Sequence, residues 1–232
     1  SNGTLYLKDT VAHSVATLTG LGTGVGTFLS TPTYDNLTAA VTTTLDIKLK
    51  AYAAMGSTIV AQNVDGDLAN GVSSQVMADA RVYFSAVYLP KATTLTGVKW
   101  YQVTAGSYTG DAYNGVGLYT YSGGTLTLVA SSTNDANIWT ATGGTIASKA
   151  FSSTYAAPAG LYFVAYLYNN SAQTTAPVLG IVGGASTINT VTDFTNSAKT
   201  SSLLSSQTAL PSPTQAMSGI TATGGEIWMG LY

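Results

Sequence analysis

Apolar and polar residues alternate along most of the chain after Arg81, and a period of two predicts half-buried β-strands. The alternating runs end at clusters of Pro, Gly, Asn or Ser, as strands do. Eight strands are predicted over about 150 residues, in RVYFSAVYL, TLTGVKWYQV, VGLYTY, TLTLVA, TIASKAF, GLYFVAYLY, PVLGIV and EIWMGLY.

Two of these runs predict more than a strand. VGLYTY and TLTLVA flank Ser122–Gly124, and the two glycines supply the positive φ that a tight hairpin needs. GLYFVAYLY, residues 160–168, is apolar at both odd and even positions. We therefore expect its strand to be covered on both faces.

The number and spacing of the strands favour a mainly β fold, an antiparallel β-sandwich of the jelly-roll kind. The polar stretch NVDGDLANGVSSQ precedes the runs and predicts a boundary. We expect residues 76–232 to form the sandwich domain, and residues 1–75 to form an extended N-terminal segment for attachment and oligomerisation.

One short helix is predicted near residues 31–42. Thr31 can cap it, Pro32 suits its first position, and Leu37 and Val41 lie on one apolar stripe. A helix of about three turns is marginal on its own, so its stripe needs a partner. That partner is either the end of the same sandwich or the stripes of other copies of the chain.

Composition narrows the classes of function. Only 8% of the 232 residues are charged and the net charge is −2, so no basic patch for nucleic acid or anionic lipid is indicated. No long apolar run predicts membrane insertion. The chain has no cysteine, which excludes thiolate metal sites and cysteine nucleophiles. It begins at Ser1 without a leader, as expected of a processed product or a fragment.

The stretch LTGLGTGVGTFLSTPTYDNLTAAVT resembles a segment of tailed-phage structural proteins, especially tail fibres, head fibres and other virion appendages. The likeness follows the order TFLxTP, NL and AAVT, while Tyr34 and Asp35 depart from the usual small residues. LPKATTLTGVKWY, VGLYTYSGG and AAPAGLYFVAYLY are similar in pattern to the jelly-roll modules of phage fibres and secreted carbohydrate-active proteins.

The resemblance implies a virion protein that works as a homotrimer. Its N-terminal segment would contact other virion structural proteins, and its β domain would face a host cell-surface glycan or protein. On this interpretation Leu37 and Val41 are oligomer contacts, and the protein is located on the extracellular particle.

Candidate catalytic residues are few. His13 is the single histidine and lies in a Gly/Thr-rich stretch that offers it no scaffold. A glycosidase would need two facing carboxyl groups, for which Asp111, Asp135 and Glu226 are candidates. Aspartates in loops more often cap turns, so we expect no catalytic residue and no enzymatic activity.

A calcium loop is the one metal site that the sequence suggests. Asn63, Asp65, Asp67 and Asn70 place oxygen ligands at alternate positions. The stretch lacks the glycine and the glutamate of an EF-hand, so a polar turn is favoured. We expect no metal and no cofactor.

Aromatic residues in polar loops are the strongest binding signal. Tyr108, Asp111 and Tyr113 lie in GSYTGDAYNG, and Asn137 and Trp139 lie in STNDANIW. Rings can stack on sugar faces while carboxylate and amide groups order the hydroxyls. We predict these five residues as a glycan or receptor surface; the alternative is that the rings cover the sandwich ends or pack between subunits.

Three hypotheses of function follow, in decreasing order of preference. The first is a trimeric phage fibre or spike that contributes to host attachment. The second is a secreted carbohydrate-binding module without a virion role. The third is a glycan-degrading enzyme, which requires Asp111, Asp135 or Glu226 to converge in one cleft.

Overall fold

The computed structural model describes residues 57–63, 73–182, 201–222 and 225–232. They belong to one β unit that spans Gly56–Tyr232. The predicted helix near residues 31–42, with Leu37 and Val41, lies outside the described residues.

Within the described residues, the regular elements are strands and two short 3-10 turns, Ile138–Thr140 and Met217–Gly219. The strands are β1 Ala61–Gln62, β2 Ser73–Val76, β3 Arg81–Leu89, β4 Thr93–Thr104, β5 Ser107–Gly110, β6 Gly115–Ser122, β7 Thr125–Ser131, β8 Thr145–Ala157, β9 Gly160–Tyr168, β10 Asn170–Thr175, β11 Val178–Val182, β12 Ser201–Ser205, β13 Thr214–Ala216, β14 Thr221–Ala222, β15 Glu226–Ile227 and β16 Met229–Leu231.

Two seven-stranded antiparallel sheets form a curled sandwich. Sheet 1 has the order β1-β16-β4-β11-β15, with β2 also paired to β11 and β8 paired to β4. Sheet 2 has the order β13-β7-β6-β9-β3-β12-β14. A separate two-stranded ribbon joins β5 to β10. The predicted fold class, a mainly β chain built as an antiparallel sandwich, is confirmed.

The main core lies between the two sheets. Sheet 1 contributes Val98 and Trp100, and sheet 2 contributes alternate residues of β9 such as Val164 and Tyr166. These side chains are fully buried. Each large apolar side chain removed from water in this way stabilises the fold by roughly 1.5–3 kcal/mol.

A second core covers the opposite face of sheet 2. Phe84, Phe163 and Leu167 lie on that face, and the connection after β12 places Leu210 and Met217 over them. The strand β9 is therefore covered on both faces, which confirms the prediction from its uninterrupted apolar sequence. The cover comes from residues far along the chain, and it buries the part of this face around Phe84, Phe163 and Leu167.

The hairpin between β6 and β7 forms where the sequence predicts it. Gly123 has φ 54° and Gly124 has φ 81°, the left-handed conformation that such a turn requires. Ser122 pairs with Thr125 at the last step of the ladder. This hairpin brings the apolar residues of β6 and β7 onto the faces of sheet 2.

Two strands lie before residue 76, where the sequence places the start of the sandwich. Ala61 of β1 pairs with Leu231 of β16, and β2 pairs along β11. The β unit therefore includes part of the segment that the sequence assigns to attachment. The attachment role of residues 1–75 stays a prediction.

Candidate functional site

The two loops that the sequence singles out lie side by side at one end of the sandwich. The Asp135 amide donates to the Asn114 carbonyl at 3.0 Å, and the Asn114 amide donates to Asn134 Oδ1 at 2.9 Å. Asn134 Nδ2 in turn donates to the Ala112 carbonyl at 3.1 Å. We call this region, formed by residues 111–114, 132–137 and Asn169, the asparagine end.

A buried pair of asparagines anchors the asparagine end to sheet 2. Asn114 Nδ2 donates to the Asn169 carbonyl and Asn114 Oδ1 accepts from the Asn169 amide, both at 2.9 Å. Asn169 Nδ2 donates to the Tyr113 carbonyl at 2.6 Å. Both side chains are buried, so these bonds fix the loops from beneath. Asn169 was missed by sequence reasoning, although its position directly after an apolar strand marks a strand end.

Trp139 does not lie on the surface, and its prediction as an exposed stacking ring is wrong. Its side chain has no exposed area, and its ring centroid lies 5.1 Å from that of Trp100. Its indole N–H donates to the Leu167 carbonyl at 3.0 Å. The 3-10 turn Ile138–Thr140 directs the ring inward, where apolar burial and a satisfied N–H favour it.

Tyr108 is half-buried and its hydroxyl is engaged within the protein. Its ring stands edge-on to that of Tyr168 with centroids 4.9 Å apart, and its hydroxyl accepts from the Trp139 amide at 3.2 Å. Burial raises the pKa of Tyr108 to about 12; the Trp139 amide opposes this shift and the charge of Asp135 adds to it. Tyr108 also lies in strand β5, paired with Gln173, and not in a loop.

Tyr113 is held in the same way. Its hydroxyl donates to the Ser132 carbonyl at 2.6 Å. Burial raises its pKa, against the opposing effect of hydrogen bonds with Ser132 and Ser131. Tyr108 and Tyr113 therefore brace the asparagine end, and each leaves only part of its ring in contact with solvent.

The polar members of the predicted surface are more accessible. Asp111 and Asn137 are exposed. Between them, Asp135 forms an ion pair with Lys149 at 2.7 Å and accepts the Asn137 amide at 3.0 Å. The hydrogen bond from Lys149 is the largest cause that lowers the pKa of Asp135. The five predicted residues thus share one region of the molecule. The carboxylate of Asp111 and the amide of Asn137 are its exposed groups, whereas the aromatic rings are partly or fully buried.

The three carboxyl groups considered for glycoside hydrolysis do not all lie in one region. Asp111 and Asp135 belong to the asparagine end, whereas Glu226 lies in β15 and accepts from the Ala86 amide in β3. Burial raises the pKa of Glu226 to about 7, and hydrogen bonds from Asn63 and Ala86 oppose the shift. Glu226 thus links sheet 1 to sheet 2.

Two buried hydroxyl groups lie in the interior near Glu226. The hydroxyls of Ser85 and Tyr166 are buried without a hydrogen-bond partner in the described part of the chain. Burial raises the pKa of Tyr166 well above its usual value, and the charge of Glu226 adds to this. This interior therefore disfavours a negative charge.

Sequence reasoning also missed the most exposed apolar side chains. Tyr88 is 65% exposed, and its cross-strand partner Leu161 is 37% exposed. Val76 and Ile146 are more than half exposed on strands of sheet 1. A concavity of about 410 Å³ lies where β4 begins and β8 ends. Its lining has no ionisable side chain and consists of Ala92, Thr93, Thr94, Ala156, Ala157 and Pro158.

The suggested calcium loop is described at one residue. Asn63 donates through Nδ2 to the Ile227 carbonyl at 2.7 Å, and its Oδ1 accepts from the Met229 amide at 3.0 Å. Asp65, Asp67, Asn70 and also His13 lie outside the described residues. Among the residues that are described, no three His, Asp or Glu side chains cluster as metal ligands.

No helix in the described ranges is both long and apolar enough to span a bilayer. In comparisons with known proteins, no family and no curated protein matches the chain.

Proposed function

We propose that this protein is a structural component of a phage virion, a trimeric fibre or spike whose β-sandwich faces outward and contributes to host-surface attachment. The observation that carries the proposal is the segment from Thr27 to Thr42, with its TFLSTP, NL and AAVT order. Other virion proteins hold the N-terminal segment, and the sandwich presents its surfaces to the host.

The sandwich provides a rigid support for such a role. Binding residues are often carried by loops that a fixed scaffold positions. At the asparagine end the Asn114–Asn169 pair supplies this fixation, and Asp111 and Asn137 remain accessible above it. We therefore retain these two side chains as receptor contacts, with the outer edges of Tyr108 and Tyr113 beside them. The protein has no catalytic role in this proposal.

Oligomeric state is the first test. Sedimentation velocity of the chain is expected to show a trimer, and Leu37→Asp with Val41→Asp is expected to shift it toward monomer. Thr38→Asp with Thr42→Asp introduces the same two charges beside the predicted stripe and should leave the trimer intact. A stable monomer for the unchanged protein would overturn the trimeric fibre.

Adsorption to host cells is the second test. Particles that carry Asp111→Ala with Asn137→Ala are expected to adsorb several-fold more slowly, while the trimer melts as before. Normal adsorption would remove the asparagine end from receptor binding. Antibody labelling of the particle surface then decides whether the protein is on the virion at all.

The alternative is a secreted carbohydrate-binding module without a virion role. The exposed Tyr88 favours this alternative, because it gives the sandwich a binding face of its own. A free module needs such a face and does not need an attachment segment. A monomer that binds sugar and is missing from purified particles would select this alternative.

A further inference from the structure

Tyr88 and Leu161 are exposed on the outer face of sheet 2, and together with the partly buried Tyr121 they form an apolar surface that we call the Tyr88 patch. Tyr88 pairs directly with Leu161 across β3 and β9. Thr120 pairs with Tyr162, so the next residue, Tyr121, lies beside Leu161. The ring of Tyr121 also packs on Phe163 at 5.9 Å between centroids.

The Tyr88 patch lies beyond the described residues that cover sheet 2. Leu210, Met217 and Ile220 lie over the part of the face around Phe84 and Phe163, which is buried. Tyr88 continues the same row of alternate positions as Val82 and Phe84, but it remains 65% exposed. One strand face therefore passes from a covered core to an open aromatic surface.

The size of the patch decides between a subunit contact and a small ligand. A stable protein interface buries about 800 Å² on each partner. A whole aromatic side chain offers roughly 150–250 Å², so the partly exposed Tyr88 and Leu161 together offer on the order of 200 Å². This area is too small for a second copy of the chain, but it matches one or two sugar rings.

The charge of the patch restricts the ligand further. Residues 86–89, 119–122 and 160–163 contain no charged side chain. A charged ligand seated on these residues would lose hydration without a partner of opposite sign among them. A neutral sugar can place its C–H face against the rings and keep its hydroxyls in water.

We propose that the Tyr88 patch binds neutral carbohydrate, with a pyranose ring stacked on Tyr88 and flanked by Leu161 and Tyr121. This inference names a ligand class and a second contact surface for the attachment role, and so it rests on the proposed function. A single stacking contact is weak, and several copies held together would raise the avidity through their effective concentration.

Ligand-observed saturation-transfer NMR can test this with the full chain. The probes are the methyl glycosides of glucose, galactose, mannose and N-acetylglucosamine, with sialyllactose as the acidic comparison. We expect transfer to the ring protons of at least one neutral glycoside. Tyr88→Ala should weaken its binding at least tenfold, and Tyr88→Phe should retain it within about twofold because the ring remains.

Ile146→Ala is the matched control, because Ile146 is 53% exposed on the other sheet. It should leave binding unchanged. The proposal is overturned if no neutral glycoside binds, if only sialyllactose binds, or if Tyr88→Ala and Ile146→Ala have equal effects. It is also overturned if Tyr88→Ala dissociates an oligomer, which would make the patch a subunit contact. The NMR outcomes do not depend on whether antibodies label the protein on phage particles. The virion role and the sugar site can therefore fail separately.

Discussion

Trp139 and Tyr88 are both large aromatic residues in a chain with few charges, yet Trp139 is fully buried and Tyr88 is 65% exposed. Trp139 follows a polar stretch, which predicts exposure, whereas Tyr88 lies in an apolar strand, which predicts burial. The reversal has a physical cause. A short turn directs the Trp139 ring into the core, and the described residues that cover sheet 2 end before Tyr88. The exposure of these two rings therefore depends less on the neighbouring residues in the sequence than on the tertiary contacts that cover each ring.

The largest expected effect comes from removing the buried ring. Trp139→Ala should lower the free energy of unfolding by about 3–5 kcal/mol, because it leaves a cavity beside Trp100 and removes the indole hydrogen bond to the Leu167 carbonyl. Tyr88→Ala, the matched exposed change, should stay within about 0.5 kcal/mol. Urea denaturation of both variants measures the difference, and equal losses would contradict the assignment of the two rings.

Glu226 extends the comparison from aromatic rings to a buried ionisable group. The folded pKa of Glu226 is about 7, above its usual value of 4.5. The contribution of Glu226 to stability is therefore full below about pH 4.5 and is lost as the pH rises from there through 7, by roughly 3 kcal/mol.

Denaturation at pH 5 and pH 8 checks this sign. Glu226→Gln should remove most of the loss between the two values, because its amide stays neutral. Asp111→Asn, an exposed acid at the asparagine end, serves as the control and should leave the pH dependence in place. A protein that is equally stable at both pH values would refute the assignment.

Tyr108 supplies a smaller test of the braced loops. Tyr108→Phe removes the hydroxyl that accepts the Trp139 amide, and should cost about 1 kcal/mol. Tyr88→Phe should cost nothing measurable, because that side chain is mostly in water. Thermal unfolding of the two variants gives the comparison. If both melt like the unchanged protein, the Tyr108 hydroxyl does not hold the loop.

The smallest expected effect concerns the ion pair of Asp135 and Lys149. Lys149→Met should lower stability by less than about 1 kcal/mol, because both side chains are partly exposed and water screens them. The difference should shrink further in 1 M salt. Lys91→Met changes an exposed lysine in the turn after β3 and should have no such salt dependence.

The strands were predictable where one face alternates or where a glycine pair sets a turn. Arg81–Leu89, Gly160–Tyr168 and the Gly123–Gly124 hairpin all follow from local sequence. The short strands β5, β10 and β12 were not, because SYTG, NSAQTT and SSLLS carry little apolar signal. Their hydrogen bonds come from distant partners, and tertiary pairing outweighs local propensity there.

The candidate site was predictable in position but not in detail. Loops that contain Asp, Asn and aromatic residues marked the asparagine end, and the two loops do meet there. The burial of the aromatic rings in these loops could not be predicted, because it depends on Asn169 and on the turn that directs Trp139. The exposure of Tyr88 depends on Leu210, Met217 and Ile220, more than a hundred residues away in the chain, which stop short of it.

The pairing of β1 with β16 has a kinetic consequence. Ala61 and Leu231 come from opposite ends of the β unit, and β16 lies inside sheet 1 between β1 and β4. Pairing of β1 with β16 must therefore close a very long loop before its contacts can repay the lost chain entropy. Proteins dominated by such non-local pairing fold in milliseconds to seconds. Until that closure the edge of β4 that pairs with β16 stays open to other chains, which favours aggregation when many copies are made together.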